Sequence, residues 1–147
     1  MRISEIMTRN PSCVTPESTV REAAQLMKSE NVGVLPVVEA SGSRKLVGIV
    51  TDRDIAIRVV ADGARADALV SDVMTRDRLT TRSADDSVES LMKAMGDEQL
   101  RRIPIVDAGG ALVGIVAQAD VVRKSGTESA AEDTVARISE PSQKHAQ

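Results

Sequence analysis

Apolar and polar positions alternate along this chain in one order that is written out twice. Val20, Ala23, Ala24 and Met27 fall at i, i+3, i+4 and i+7, the stripe of an amphipathic helix that Ser18 or Thr19 can cap and that Asn31 and Gly33 stop. A short apolar run, 34–38, predicts a buried strand. Residues 39–45, with Ser41, Gly42 and Ser43, connect it as a hairpin to a second strand over 46–50. A helix is expected from Thr51, with Ile55, Ala56, Val59 and Val60 on its apolar face and Asp62 and Gly63 closing it. The stripe then recurs as Val88, Leu91, Met92 and Met95, 68 positions after its first copy, in a helix expected from about Asp86 with Glu89 completing a capping box. Strands over 103–106 and 112–116 follow, joined through Ala108, Gly109 and Gly110, and a last helix is expected from about Ala117 to Lys124. Ahead of each helix lies a very short strand, at Cys13 and Val14 and near Leu79 and Thr80. Further upstream, Ile6, Met7, Thr8 and Arg9 reappear as Val73, Met74, Thr75 and Arg76.

Such a repeat is one supersecondary unit that must bury its face somewhere. A unit of roughly 60 residues buries only about 60% of its unfolded surface and is marginal alone. The two copies are therefore expected to pack on each other, with repeats at 1–66 and 67–125 and a polar, flexible tail at 126–147 that the core does not need.

The closest internal match sets Leu46 to Ile55 against Leu112 to Val121, and it carries the candidate chemistry. Each copy places a glycine in a strand, Gly48 or Gly114, and six residues later an aspartate, Asp54 or Asp120, in the first turn of the next helix. Glycine inside a strand marks a close approach to the backbone, and a helix start suits an anion. A carboxylate there can accept both hydroxyls of a ribose. Thr51 and Asp54 equally fit a reciprocal cap, and in the second copy Ala117 stands where Thr51 stood while Asp120 remains. Pro36 and Pro104 lack an N–H. Each either starts its strand or leaves neighbouring backbone groups free to read the edge of a base. Arg101 and Arg102 precede the second proline strand where Val32, Gly33 and Val34 precede the first, and they read either as a phosphate clamp or as solvated surface.

Composition narrows the field. The chain has no Phe, Tyr or Trp, so a flat ligand must be gripped by aliphatic side chains and backbone, and an aromatic single-strand nucleic-acid platform is excluded. The net charge is −3, most of it in 126–147, and no basic field attracts nucleic acid or an anionic membrane. The first residues carry no apolar run long enough for a signal peptide or a span, and a cytoplasmic protein is expected. Cys13 and His145 are the sole cysteine and histidine, so one chain offers neither a disulfide nor a zinc cluster. Cys13 reads as a small buried hydrophobe and His145 as a solvated tail residue.

With these residues assembled, the chain resembles a CBS-domain pair, the tandem regulatory module named for cystathionine β-synthase. The resemblance covers residues 1 to about 125 and rests on elements that appear twice in order: the Met-Thr opening, the helix, the hydrophobic-Pro strand, and the Gly-Ile-Val strand followed by Asp. It implies an α+β fold of two β-α-β-β-α repeats stacked sheet to sheet with pseudo-twofold symmetry. It further implies two clefts for an adenosine ligand such as AMP, ADP, ATP or S-adenosylmethionine. On this chain the implied roles fall to Asp54 and Asp120 for ribose, Thr51 for a hydroxyl contact and Arg102 for phosphate, beside Gly48 and Gly114. It also implies a homodimer, whose apolar surface would come from Ile55, Ala56, Val59, Val60, Leu91, Met92, Val121 and Val122. The function so implied is that of a non-enzymatic nucleotide sensor acting on an unidentified regulated protein. Ala117 and the missing first-repeat arginine keep a second reading open, a dimeric interaction module with ligand-free clefts. An enzyme is not expected, because no histidine, lysine or cysteine is set beside the aspartates.

Overall fold

The computed structural model describes residues 1–77, 79–124 and Ile138. In chain order the elements are β1 (Thr8–Arg9), α1 (Val20–Glu30), β2 (Val34–Ala40), β3 (Ser43–Thr51), α2 (Asp52–Ile55), α3 (Val88–Glu98), β4 (Arg102–Val106), β5 (Leu112–Ala117) and α4 (Gln118–Lys124). Two compact units form. One joins Met1–Pro11 to Thr80–Gln147, and the other is Ser12–Leu79. The units therefore do not follow the repeats: the opening segment of each repeat packs into the unit built from the other repeat's helices and hairpin.

In the unit of Ser12–Leu79, Thr19 caps α1 by accepting a hydrogen bond from the Glu22 N–H at 3.1 Å, and Asn31 ends the helix in the left-handed conformation at φ 55°. Val20, Ala23 and Met27 are buried as the stripe requires, but Ala24 is exposed. Leu26 packs against the core in its place, since Ala23, Leu26 and Met27 satisfy the same i, i+3, i+4 spacing with a larger side chain. β2 and β3 pair antiparallel with Pro36 opposite Ile49 and a bulge after Val37. The helix expected after Thr51 is present but changes its winding: α2 passes into a π-helical turn over Ala56–Val60, in which the Ala61 N–H reaches the Ala56 carbonyl at 2.9 Å. The wider turn buries Val59 alone and leaves Ile57 and Val60 exposed, which removes Val60 from the expected core face. A 3₁₀ turn over Val70–Asp72, tied by Val70 N–H to Ser18 O (2.8 Å), brings Val70, Val73 and Met74 into the same core as Leu35, Val37 and Val50.

The other unit repeats this plan. A 3₁₀ turn over Ile3–Glu5 docks by Ile3 N–H to Asp86 O (2.9 Å), and Ile3, Ile6 and Met7 enter the core with Leu91, Met95, Ile103 and Ile105. The sheet order is β1-β5-β4, antiparallel throughout. The cap of α3 is Ser87, which accepts from Ser90 N–H at 3.1 Å. Asp86 turns back to accept from Ser83 N–H at 2.9 Å, so the expected Asp86–Glu89 box is not made. The bridge beside β4 falls at Arg82 instead of at Leu79 and Thr80.

Three further expectations change. Of the residues expected to supply a dimer surface, Leu91, Met92, Val59 and Val121 are buried within their own units, Ile55 is half-buried, and Ala56, Val60 and Val122 are exposed, with Ile57 exposed beside them. Ile138 is buried in the core that holds Ile3 and Val121, a contact that the expectation of a tail the core does not need left out. The remainder of 126–147, His145 included, lies outside the described residues. Cys13 is half-buried, with the Arg44 guanidinium donating to its Sγ at 3.2 Å.

Candidate nucleotide-binding site

Where β3 ends, the local chemistry of Thr51 starts a helix. Its backbone is extended (φ −116°, ψ 160°), its Oγ1 accepts from the Asp54 N–H at 3.0 Å, and its own N–H donates to Asp54 Oδ2 at 3.0 Å. The pair is thus a complete capping box. Thr51 is buried and Asp54 half-buried, and among the described residues Asp54 Oδ1 takes no hydrogen bond. Across the hairpin Val34 faces Thr51, and the Asp52 N–H donates to Gly33 O at 2.8 Å. A Cβ on Gly33 would lie 2.8 Å from Asp52 Oδ2, a contact that the exposed Asp52 side chain can relieve by turning away.

The second half-site has the same frame and different occupants. Asp120 is only 7% exposed. Its Oδ2 accepts from the Ala117 N–H at 3.0 Å, the half of the capping box that survives loss of the hydroxyl, and this explains why an aspartate remains opposite an alanine. Its Oδ1 accepts from Arg123 Nη2 at 2.8 Å. Arg102 lies opposite Ala117 in the β4–β5 register, and the Gln118 N–H donates to Arg101 O at 2.8 Å, so the hairpin delivers both arginines to the start of α4. Arg102 is half-buried and forms no ion pair among the described residues. Gln118 Oε1 is buried without a hydrogen-bond partner among them. Arg123 and Gln118 escaped the sequence reading, although the Asp120–Arg123 spacing of i, i+3 is that of a helical ion pair.

The two strand glycines do permit a close approach, and protein makes it. A Cβ on Gly48 would stand 2.9 Å from Thr75 O and 3.0 Å from Met74 Sδ, and one on Gly114 would stand 2.6 Å from Met7 Sδ and 3.0 Å from Thr8 O. The prolines neither start their strands nor leave an open edge, since each is the third residue of its strand. Pro36 O accepts from Val14 N–H (3.1 Å) and Val38 N–H donates to Val14 O (2.9 Å), while Arg82 makes the same two bonds with Pro104 and Val106 at 3.3 and 3.0 Å. A groove of about 710 Å³ in the unit of Met1–Pro11 and Thr80–Gln147 is lined by Arg9, Arg82, Asp86 and Val106 among others, and by none of the six residues selected from the sequence. Among the described residues no group of three His, Cys, Asp or Glu side chains is placed to hold a metal, and no helix is long and apolar enough to cross a membrane.

Two α+β units, each with a helix-start carboxylate at the end of a proline-containing hairpin, make this one module written twice. The CBS-domain model matches residues 3–61 and 70–126, and the chain belongs to that family. The CBS domain-containing protein YhcV of Bacillus subtilis is 43% identical over 129 residues, which span 87% of this chain and 89% of YhcV. Among solved structures, CBSX2 in complex with AMP is similar with a TM-score of 0.72 at 28% identity, covering 84% of this chain and 95% of that one. The CBS domain pair of MJ0100 in complex with 5′-methylthioadenosine and S-adenosyl-L-methionine has a TM-score of 0.74 at 28% identity, covering 86% of this chain and all of that one.

Proposed function

We propose that this chain is a regulatory, non-catalytic sensor of an adenosine nucleotide, a cytoplasmic homodimer whose bound state is read by a partner protein. The observation that carries the ligand is Asp54: a half-buried carboxylate, fixed through one oxygen by the Thr51 backbone and without a hydrogen bond at the other among the described residues, is set to accept a ribose hydroxyl. Asp120 takes the same role in the second half-site and Arg102 the phosphate, for which a guanidinium offers paired donors. Complexes of CBSX2 with AMP and of MJ0100 with S-adenosyl-L-methionine support this ligand class. Gly48 and Gly114 act through the fold, by admitting Met74 and Met7.

The test uses the missing aromatics. Without Trp or Tyr the protein scarcely absorbs in the near ultraviolet, so a co-purified adenosine compound shows directly and is identified by mass after acid release. Titration with AMP then compares wild type with the D54N/D120N variant, for which binding is expected to vanish with the fold intact. Undiminished affinity in the double variant removes the ribose assignment.

A second reading, an interaction module with an empty second half-site, is favoured by two observations. Both oxygens of Asp120 are already engaged, and Ile57, Val60 and Val122 are 44%, 73% and 49% exposed. Saturable binding of two nucleotides per chain counts against it.

A further inference from the structure

The two aspartates stand in corresponding places but in different states. Among the described residues Asp54 Oδ1 takes no hydrogen bond, whereas Asp120 Oδ1 is held by the Arg123 guanidinium at 2.8 Å. Counted from the aspartate, Arg123 stands where Ile57 stands in the first repeat, and an isoleucine offers no donor to a carboxylate. We propose that Arg123 is the residue that sets the affinity of the second half-site, by occupying in the free protein the carboxylate oxygen that a ribose hydroxyl needs. This rests on the adenosine-binding reading given above.

The chemistry is one of competition for an acceptor. Asp120 Oδ2 is committed to the Ala117 N–H, so a diol donating to both oxygens must displace the guanidinium from Oδ1. The Arg123 side chain is 69% exposed while that of Asp120 is 10% exposed, so the arginine is the partner free to swing into water. Water around the guanidinium screens the pair from its outer side, which keeps the handicap to roughly two- to fivefold in affinity. Such a pair weakens as salt rises, because its outer member is screened. For a neutral ligand the second half-site is therefore expected to bind more tightly at high ionic strength, which a purely structural arginine would not cause.

Adenosine is the probe, since it carries the ribose without a phosphate that Arg123 would attract. Calorimetric titrations compare wild type, D54N, which confines binding to the second half-site, and D54N/R123A, each checked for folding by far-ultraviolet circular dichroism. The expected result is a two- to fivefold gain in adenosine affinity from D54N to D54N/R123A, with the salt dependence of D54N abolished. Binding by D54N/R123A where D54N shows none supports the same conclusion. Equal or weaker binding by D54N/R123A overturns the role of Arg123, as does loss of binding in both variants while wild type still binds, and either leaves the adenosine reading standing on Asp54. Failure of all three proteins to bind either adenosine or AMP overturns the adenosine reading and this inference together.

Discussion

Replacing Gly48 by alanine tests why the most closely repeated strand carries a glycine. The new Cβ would sit 2.9 Å from Thr75 O and 3.0 Å from Met74 Sδ, about half an ångström inside ordinary van der Waals contact. Thr75 O cannot simply retreat, because it accepts from the Ile49 N–H at 3.0 Å while the Thr75 N–H donates to Ile49 O at 2.8 Å. Overpacking of this kind costs about 1–3 kcal/mol, and stretching one hydrogen bond adds roughly 0.5–1.5 kcal/mol. Alanine recovers about 0.5–1 kcal/mol of the penalty that glycine carries inside a strand. The net is a loss of roughly 1–3 kcal/mol, equivalent to a fall in Tm of about 2–12 °C for a chain of this size. Thermal and urea melts followed by far-ultraviolet circular dichroism suit a chain without aromatic fluorophores. Gly42→Ala is the control, since nothing lies within 4 Å of its Cβ position. A G48A protein as stable as G42A would refute the packing account. At Gly114 the nearest atom is the flexible end of Met7, at 2.6 Å, so M7A/G114A should lose less stability than the two single variants added together, by about 0.5–3 kcal/mol.

Thr51→Ala removes the capping hydroxyl and is expected to cost roughly 0.5–2 kcal/mol, while Ala117→Ser supplies one to α4 and should gain a similar amount, both read from urea midpoints. Ile138→Ala, or truncation after residue 125, should destabilise the unit that contains β4 and β5 by about 2–4 kcal/mol, because Ile138 is buried with Ile3 and Val121. A fragment of residues 12–79 should show more helix and resist more urea than one of residues 1–66, because only the former contains Val70, Val73 and Met74 of its own core. Equal stability of the two fragments would refute the exchange of opening segments.

Both amphipathic helices and both hairpins were legible because their apolar spacings are strong and local: Val88, Leu91, Met92 and Met95 are all buried as the stripe demands. The exchange of opening segments was not legible. Met7 and Met74 look alike, and their similarity cannot say which copy receives which. The caps failed for a related reason, since Asp86 and Ser87 are both good capping residues and the choice is made by the Ser83 N–H, which takes the Asp86 carboxylate. The glycines were rightly read as points of close approach, but sequence alone cannot tell a ligand from a backbone carbonyl. At the candidate site Asp54 and Asp120 were picked out by their repetition, and Thr51 by its capping position three residues before Asp54. Arg123 went unnoticed because its counterpart Ile57 breaks the repeat, and the asymmetry between the half-sites lies at that position.

The exchange also bears on how the state of one half-site can reach the rest of the chain. Ile49 lies two residues before Thr51, and through both of its backbone hydrogen bonds it holds Thr75. The chain that leaves Thr75 enters the other unit at Thr80. In mirror fashion Thr8 lies opposite Ile115, two residues before Ala117, and the chain that leaves it enters the unit of Ser12–Leu79. Each strand that leads into the helix of a candidate carboxylate is therefore clamped to a peptide whose neighbouring residues belong to the other unit. A ligand that moved Thr51 or Ala117 would act on that clamp, and backbone hydrogen bonds followed by a short covalent segment are stiffer than a relay of side chains. Coupling carried this way does not rely on a relay of packed side chains. It depends instead on the Gly48 and Gly114 contacts that seat the clamp, so substitutions there should alter communication between half-sites even where Thr51, Asp54 and Asp120 are untouched.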